Sequence, residues 1–183
     1  MGRNSIRAFI CAAVFLFGAT PATSSSDDGT LACKLIDRHE METILGAPIG
    51  PLKGQAMNIC AGLCASLNSS ICQFPVLLPS SPEPPQSWTL WVYQPPFEPG
   101  NWPATVRTIA KSTGRDKVDN VDWRGGSALW DYDPANARGI LSVFIQHRVF
   151  LTVVQESGVR NSSESLSSAR AIAARALVHF DRQ

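Results

Sequence analysis

The strongest fold signal in this chain is GSALWDYDPANARGILSVFIQHRVFLTVVQ, residues 126–155, which predicts three consecutive β-strands. Its apolar residues alternate with a period of two, which places them on one face of a sheet. The alternating positions in the second and third strands are Leu141, Val143, Ile145, Val149, Leu151 and Val153. The opposite face also carries large apolar residues, Phe144 and Phe150, beside hydroxyl residues. We therefore expect both faces of the sheet to be covered.

Turn residues separate the first two of these strands. DPANARG, residues 133–139, supplies the Asp, Pro, Asn and Gly that turns select for backbone and side-chain capping reasons. The second turn, around His147 and Arg148, lacks the Asn-Gly pair of a tight hairpin. The sequence thus predicts the second hairpin without specifying its register.

Three further segments predict helices. Asp37 and Glu40 form a capping box, and Gly46 ends the short helix that the box begins. A second helix is predicted at about 103–112. The Ala-rich stretch 161–180 has apolar residues at helical spacing and predicts the longest helix.

Two strands precede the second helix. Residues 71–78 and 87–94 have strand character, and Pro75 implies an edge strand or a bulge in the first of them. Residues 47–70 show no sustained period, which indicates irregular chain. The order helix, two strands, helix, three strands, helix predicts an α+β fold with an antiparallel β-sheet and helices packed on it, forming a single domain at 33–183.

The first 32 residues have a different character. Arg3 and Arg7 precede an apolar run at 8–18 and a group of small residues, the arrangement of a secretory signal peptide at 1–22. The run is shorter than the roughly 20 residues that span a membrane. Residues 23–32 are expected to form a flexible N-terminal segment. We therefore expect the protein to be periplasmic or secreted, with no membrane span after cleavage.

The charge balance excludes one class of partner. Removing residues 1–22 takes away Arg3 and Arg7 and no acidic residue, so the formal net charge falls from +1 to −1. Proteins that bind nucleic acid need clustered Lys and Arg to displace counterions. We therefore expect no nucleic-acid partner.

Four cysteines remain after cleavage, and in an exported chain an even number indicates disulfides, here with three possible connectivities. The spacing favours a short bridge between Cys60 and Cys64 and a long one between Cys33 and Cys72. The long bridge would stabilise the fold by about 4 kcal/mol in the chain-entropy estimate. It would also tie the first helix to the first strand.

The chain resembles small exported bacterial domains, found in lipoproteins and extracytoplasmic sensor domains, that share a PsbP-like α/β/α sandwich. The resemblance lies in CKLIDRHEMETILGAPIG at 33–50, Cys72, VDNVDWRGGSALWDYD at 118–133, the hairpin at 140–154 and the Ala-rich last helix. It implies that fold and a binding or adaptor role outside the cytoplasm, and it transfers no catalytic residue. The chain departs from the pattern in lacking a lipid-attachment cysteine and in having Cys60 and Cys64.

No catalytic residue, metal site or cofactor is predicted. Cys60, Cys64 and Cys72 lack a nearby histidine and the ligand spacing of zinc sites. His39, His147 and His179 are accompanied by no G-x-S-x-G nucleophile elbow. Several aspartates could form an acid/base pair or bind calcium, but turn formation is the simpler interpretation. These are Asp116, Asp119, Asp122, Asp131 and Asp133.

Aromatic residues are the one feature that indicates a binding surface, because aromatic side chains dominate interface energetics. Trp88 shares a face with Leu90 and Val92 and is expected in the core. Four residues lie on the other face of that strand or in the Pro-rich segment after it, and they form the predicted binding surface. They are Trp91, Tyr93, Phe97 and Trp102.

These observations predict an exported, disulfide-stabilised, non-catalytic binding or adaptor domain that acts outside the cytoplasm. Its partner would be an unidentified extracytoplasmic protein or a small ligand. Two alternatives remain open. One is an inhibitor or immunity-type protein of a secreted enzyme, and the other is a small secreted hydrolase whose site no motif reveals.

Overall fold

The computed structural model describes residues 29–61, 65–77, 86–93, 102–112, 114–115, 117–145, 149–156 and 162–182. This part of the chain contains four helices and seven strands. In chain order they are α1 (Leu31–Lys34), α2 (Arg38–Leu45), β1 (Lys53–Ala61), β2 (Ala65–Pro75), β3 (Ser87–Tyr93), α3 (Trp102–Ser112), β4 (Val118–Val121), β5 (Gly126–Asp133), β6 (Arg138–Ile145), β7 (Val149–Glu156) and α4 (Ser162–Phe180).

The seven described strands form one sheet in the order β1-β2-β3-β7-β6-β5-β4. Every neighbouring pair is antiparallel. The sheet therefore consists of two meanders, β1–β3 and β4–β7, which join where β3 pairs with β7. α3 lies between the meanders in the chain. The predicted α+β fold, an antiparallel sheet with helices packed on it, is confirmed.

The three strands predicted within 126–155 are confirmed as β5, β6 and β7. The prediction of irregular chain at 47–70 was wrong, because β1 pairs along its whole length with β2. Backbone N–H and C=O groups form this ladder, and nearly every residue type has both groups. A strand pair can therefore form where the side chains show no periodic pattern. Pro75 does not mark an edge strand, since β2 lies between β1 and β3. It is the last residue of β2, and the ladder to β1 ends before it at Gln73.

One face of the sheet, called here the first face, carries the main core. Leu90, Leu141 and Leu151 are fully buried there, and Trp88 is also buried, as the sequence predicts. α1, α2 and α4 contribute Ala32, Met41, Ile172 and other residues to the same apolar cluster. Burial of one such side chain stabilises a fold by about 1.5–3 kcal/mol relative to exposure.

The indole of Trp130 connects α4 to the sheet on the first face through a hydrogen bond. Its Nε1 donates a hydrogen bond to Ser162 Oγ at 3.1 Å, at the first residue of α4. The ring lies over Gly139 of the neighbouring strand, where a Cβ atom would collide with it. Glycine at this position is therefore required by the close approach of the ring.

The disulfide predicted between Cys33 and Cys72 is present, with Cα atoms 5.0 Å apart, and it joins α1 to β2. A second contact supports this junction, because the backbone N–H of Ala32 donates to Ser70 Oγ at 2.8 Å. Cys60 lies in β1, opposite Ser66. Cys64 lies outside the described residues, so the bridge between Cys60 and Cys64 stays a prediction.

The predicted capping box begins α2. Asp37 Oδ1 accepts from the backbone N–H of Glu40 at 2.8 Å, and Glu40 Oε2 accepts from that of Asp37 at 3.2 Å. Gly46 ends the helix with φ of 65°, a left-handed conformation that favours glycine. Ordered structure begins before the expected residue 33, because α1 starts at Leu31 and Ala32 is fully buried. Residues 23–28 of the expected flexible segment lie outside the described residues.

The opposite face of the sheet, the second face, is also covered, as expected. Leu129, Phe144 and Phe150 form a smaller buried cluster on it. Val106 of α3 packs against this cluster, together with Tyr93 and Val118. α3 thus lies on the second face, opposite α1, α2 and α4, and helices pack on both sides of the sheet.

Candidate functional site

An aromatic strip crosses the second face over three neighbouring strands. The register aligns Tyr93 of β3 with Phe150 of β7, and Phe150 with Phe144 of β6. The rings of Tyr93 and Phe150 stack with centroids 4.6 Å apart, and those of Phe150 and Phe144 with centroids 4.7 Å apart. Trp91 extends the strip along β3, with its ring 6.2 Å from that of Tyr93. These four residues are called the aromatic strip below.

Exposure changes along the aromatic strip. Phe144 and Phe150 are buried, whereas Trp91 and Tyr93 are only half-buried. Burial raises the pKa of the Tyr93 hydroxyl well above its ordinary value, so this phenol stays neutral at physiological pH. The strip is therefore anchored in the core at one end and reaches the surface at β3.

Hydroxyl groups lie beside the aromatic strip. The register pairs Trp91 with Thr152, and Thr152 with Ser142 on the next strand. Thr152 and Ser142 are buried, and so is Thr89, two residues before Trp91. This face therefore combines flat apolar rings with hydroxyl groups that are themselves buried.

A buried ion pair lies farther along the same face, on β5. Arg115 Nη1 contacts Asp131 Oδ2 at 2.6 Å, and the Asp131 side chain is 5% exposed. The other carboxylate oxygen, Oδ1, is buried without a hydrogen-bond partner. Burial raises the pKa of Asp131 above its ordinary value, an effect that the positive charges of Arg115 and Arg138 oppose. A partly unsatisfied carboxylate of this kind is costly to bury.

The two aspartates of β5 have different roles. Asp133 forms the turn that the sequence predicts, accepting from Ala135 N at 2.9 Å and from Asn136 Nδ2 at 2.6 Å. The bond from Asn136 is the main reason that the pKa of Asp133 is lowered. The turn interpretation of Asp131 was wrong, because its side chain is buried in the pair with Arg115. A period-two pattern that places Asp131 on the face of Leu129 was the available signal, but nothing in the sequence indicated Arg115.

The structure brings together two of the four predicted surface residues. Trp91 and Tyr93 are neighbours in the aromatic strip. Trp102 is the first residue of α3, one turn before Val106, so this helix begins one residue earlier than predicted. Phe97 lies outside the described residues. Phe150 and Phe144, which complete the strip, were predicted only as residues of a covered face.

The histidines are far from this face or outside the described residues. His39 is exposed in the first turn of α2, and His179 of α4 lies 3.2 Å from Glu40 Oε1. His147 lies outside the described residues. Within the described ranges, no group of three or more His, Cys, Asp or Glu residues is placed to hold a metal ion.

Comparisons with protein-family models, with curated proteins and with solved structures find no match for this chain. Among the described residues, no helix has the length and apolar character needed to cross a membrane. The function must therefore be argued from the site.

Proposed function

We propose that this protein is an exported, non-catalytic binding or adaptor domain that recognises its partner at the half-buried end of the aromatic strip. The observation that carries the proposal is the half-buried pair Trp91 and Tyr93, stacked on a row of rings that is otherwise buried. Rigid aromatic side chains held by their neighbours lose little conformational entropy on binding, which favours them as anchors.

The disulfide supports the location outside the cytoplasm. A bond between Cys33 and Cys72 persists in oxidising compartments such as the periplasm or the extracellular space. The resemblance to PsbP-like exported domains belongs to the same proposal, and helices on both sides of an antiparallel sheet are compatible with it.

The partner would present a flat apolar group to Trp91 and Tyr93. An extracytoplasmic protein could do so with an aromatic or aliphatic side chain, and a small ligand with a ring face. In either case, stacking on the two rings contributes the contact area.

Capture experiments test this proposal. The oxidised protein is immobilised, exposed to envelope and culture extracts, and the retained species is identified by mass spectrometry. We expect Trp91→Ala to lower the affinity for that species at least tenfold, as is typical of a central aromatic anchor. The matched control is Tyr132→Ala, which removes a half-buried aromatic side chain from the opposite side of the sheet.

The outcomes separate the candidate functions. Retention that Trp91→Ala abolishes and Tyr132→Ala preserves supports the proposal. Retention that both variants preserve contradicts it. Turnover of a captured molecule by the wild-type protein would show that the domain is an enzyme.

A further inference from the structure

A groove of about 770 Å³ runs along α4 on the side away from the second face. One wall is the segment between β4 and β5, with Trp123 and Arg124. The other is α4, with Ala174, Leu177 and Val178. The aromatic strip takes no part in this groove, so it is a separate surface.

α4 has apolar residues on two sides. Ala169, Ile172, Ala173 and Ala176 are buried against the sheet. Ala171, Ala174 and Val178 line the groove instead and are exposed, Val178 to 43%. A helix that is apolar beyond its core-facing stripe is usually covered by another element. The spacing of these three residues, three and four apart, matches the seam between two packed helices.

Opposite charges stand at the two ends of the groove. Arg170 lies at one end, where its Nη2 donates to the backbone carbonyl of Asp122 at 3.0 Å. Asp181 lies at the other end, just after the last turn of α4. With a rise of 1.5 Å per residue, the two positions are about 16 Å apart along the helix.

We propose that this groove is a homodimer interface in which α4 of a second copy lies antiparallel to α4 of the first. A twofold axis requires a self-complementary surface. If a residue of the first copy contacts a second residue on the other copy, the same contact forms again with the two copies exchanged. An antiparallel α4 pair meets this requirement, because Arg170 of each copy faces Asp181 of the other. Ala174 of each copy then lies opposite Leu177 of the other copy, between the two charged ends.

The small residues make this packing feasible. Helix axes come within about 8 Å of one another when alanine lies at the contact. Trp123 forms the outer wall, against which the second helix packs. An unrelated helix would need the same apolar spacing and the same two charges at this separation, whereas a second copy of the chain supplies them.

Analytical ultracentrifugation of the full chain, recovered oxidised, tests the proposal over about 1 μM to 1 mM, the range of moderate and weak affinities. We expect a reversible dimer whose dissociation constant Ala174→Glu raises at least about tenfold, because a charge is placed in the apolar seam. Ala104→Glu is the matched control, since Ala104 is exposed on α3 and should leave the dimer unchanged. Val178→Glu repeats the test at the most exposed apolar position, and circular dichroism checks that each variant is folded.

Charge reversal tests the antiparallel geometry. Arg170→Glu and Asp181→Arg should each raise the dissociation constant about tenfold, because each places like charges together. The double variant should return it to within about threefold of the wild-type value, since the pair is restored with reversed sign. A monomer at all concentrations, or a dimer that Ala174→Glu and Val178→Glu leave intact, overturns the proposal. Failure of the double variant to recover overturns the antiparallel arrangement.

Discussion

The two faces of the sheet differ in the size of their buried cores and in the polar groups that they carry. The first face has a large core of fully buried aliphatic residues, three covering helices and the disulfide. The second face has a three-residue buried cluster, one covering helix among the described elements, an ion pair and buried hydroxyl groups. A closely packed apolar core is insensitive to what lies outside it, whereas half-buried rings gain contacts when a partner arrives. Under the proposed function, the fold is held mainly on the first face and the second face presents the binding groups.

Single strands take part in both faces. In β7, Leu151 is fully buried in the first face, while its neighbour Thr152 lies beside Trp91 on the second. The period of two in a strand makes this division possible without any change of backbone. Substitutions on the two faces should therefore have separable effects on stability and on binding.

The largest effect on stability is expected from the disulfide. Replacing both Cys33 and Cys72 with Ala should lower the free energy of unfolding by about 4 kcal/mol, because the unfolded chain regains the entropy of an open loop. Urea denaturation of the variant and of oxidised wild type measures the difference. A loss under about 1 kcal/mol would mean that the first face does not depend on this bridge.

The two faces should differ when equivalent leucines are truncated. Leu141 on the first face is fully buried among helices and strands, and Leu129 on the second is 3% exposed in the small cluster. We expect Leu141→Ala to cost about 4 kcal/mol and Leu129→Ala about 2 kcal/mol, since the cost grows with the cavity that remains. Both losses are measured from the midpoints of urea denaturation, with the same denaturant dependence of the unfolding free energy for each protein. Equal losses would contradict the division between the faces.

Removing a polar contact of the covering helices should cause a smaller difference in stability loss between the two faces. On the first-face side, Glu40 of α2 pairs with Arg175 of α4, and its side chain is 14% exposed. On the second-face side, Arg107 of α3 donates to Asn120, which is exposed. We expect Glu40→Gln to cost about 1 kcal/mol and Asn120→Ala under about 0.5 kcal/mol, by thermal denaturation. A larger loss from Asn120→Ala would show that α3 depends on this contact.

The two aspartates of β5 should titrate in opposite directions from the ordinary value. Carboxyl NMR should place the pKa of Asp131 above that value, because of burial, and the pKa of Asp133 below it, because of the bond from Asn136. Ionisation of Asp131 therefore costs stability as pH rises from the unfolded-state pKa, about 3.9, through the folded one. Ionisation of Asp133 instead adds stability to the fold. This stability is lost as the pH falls through the lowered pKa of Asp133.

The pH dependence of stability in two variants tests the direction of each effect. Relative to wild type, Asp131→Asn should gain stability as pH rises through this window. Asp133→Asn should lose stability over its own window as pH rises. The same direction in both variants would contradict the difference between the buried and the turn carboxylate.

Local signals in the sequence were sufficient for much of the fold. The capping box at Asp37 and Glu40, the turn at 133–139 and the alternation in β6 and β7 act between residues close in the chain, so they can be recognised without the fold. The hairpin of β1 and β2 could not, because backbone groups form it and its side chains show no period. The disulfide between Cys33 and Cys72 was favoured by spacing, although three connectivities were open.

The candidate site divides in the same way. The period of two in the sequence was enough to place Trp91 and Tyr93 on one face of a strand and to assign Phe144 and Phe150 to a covered face. The pairing of β3 with β7, which brings Tyr93 onto Phe150, and the contact of Arg115 with Asp131 became apparent only in the folded structure. Strand order and a distant ion partner depend on how separate segments pack together, and backbone hydrogen bonds, which are nearly the same for every residue, carry no record of that choice in the sequence.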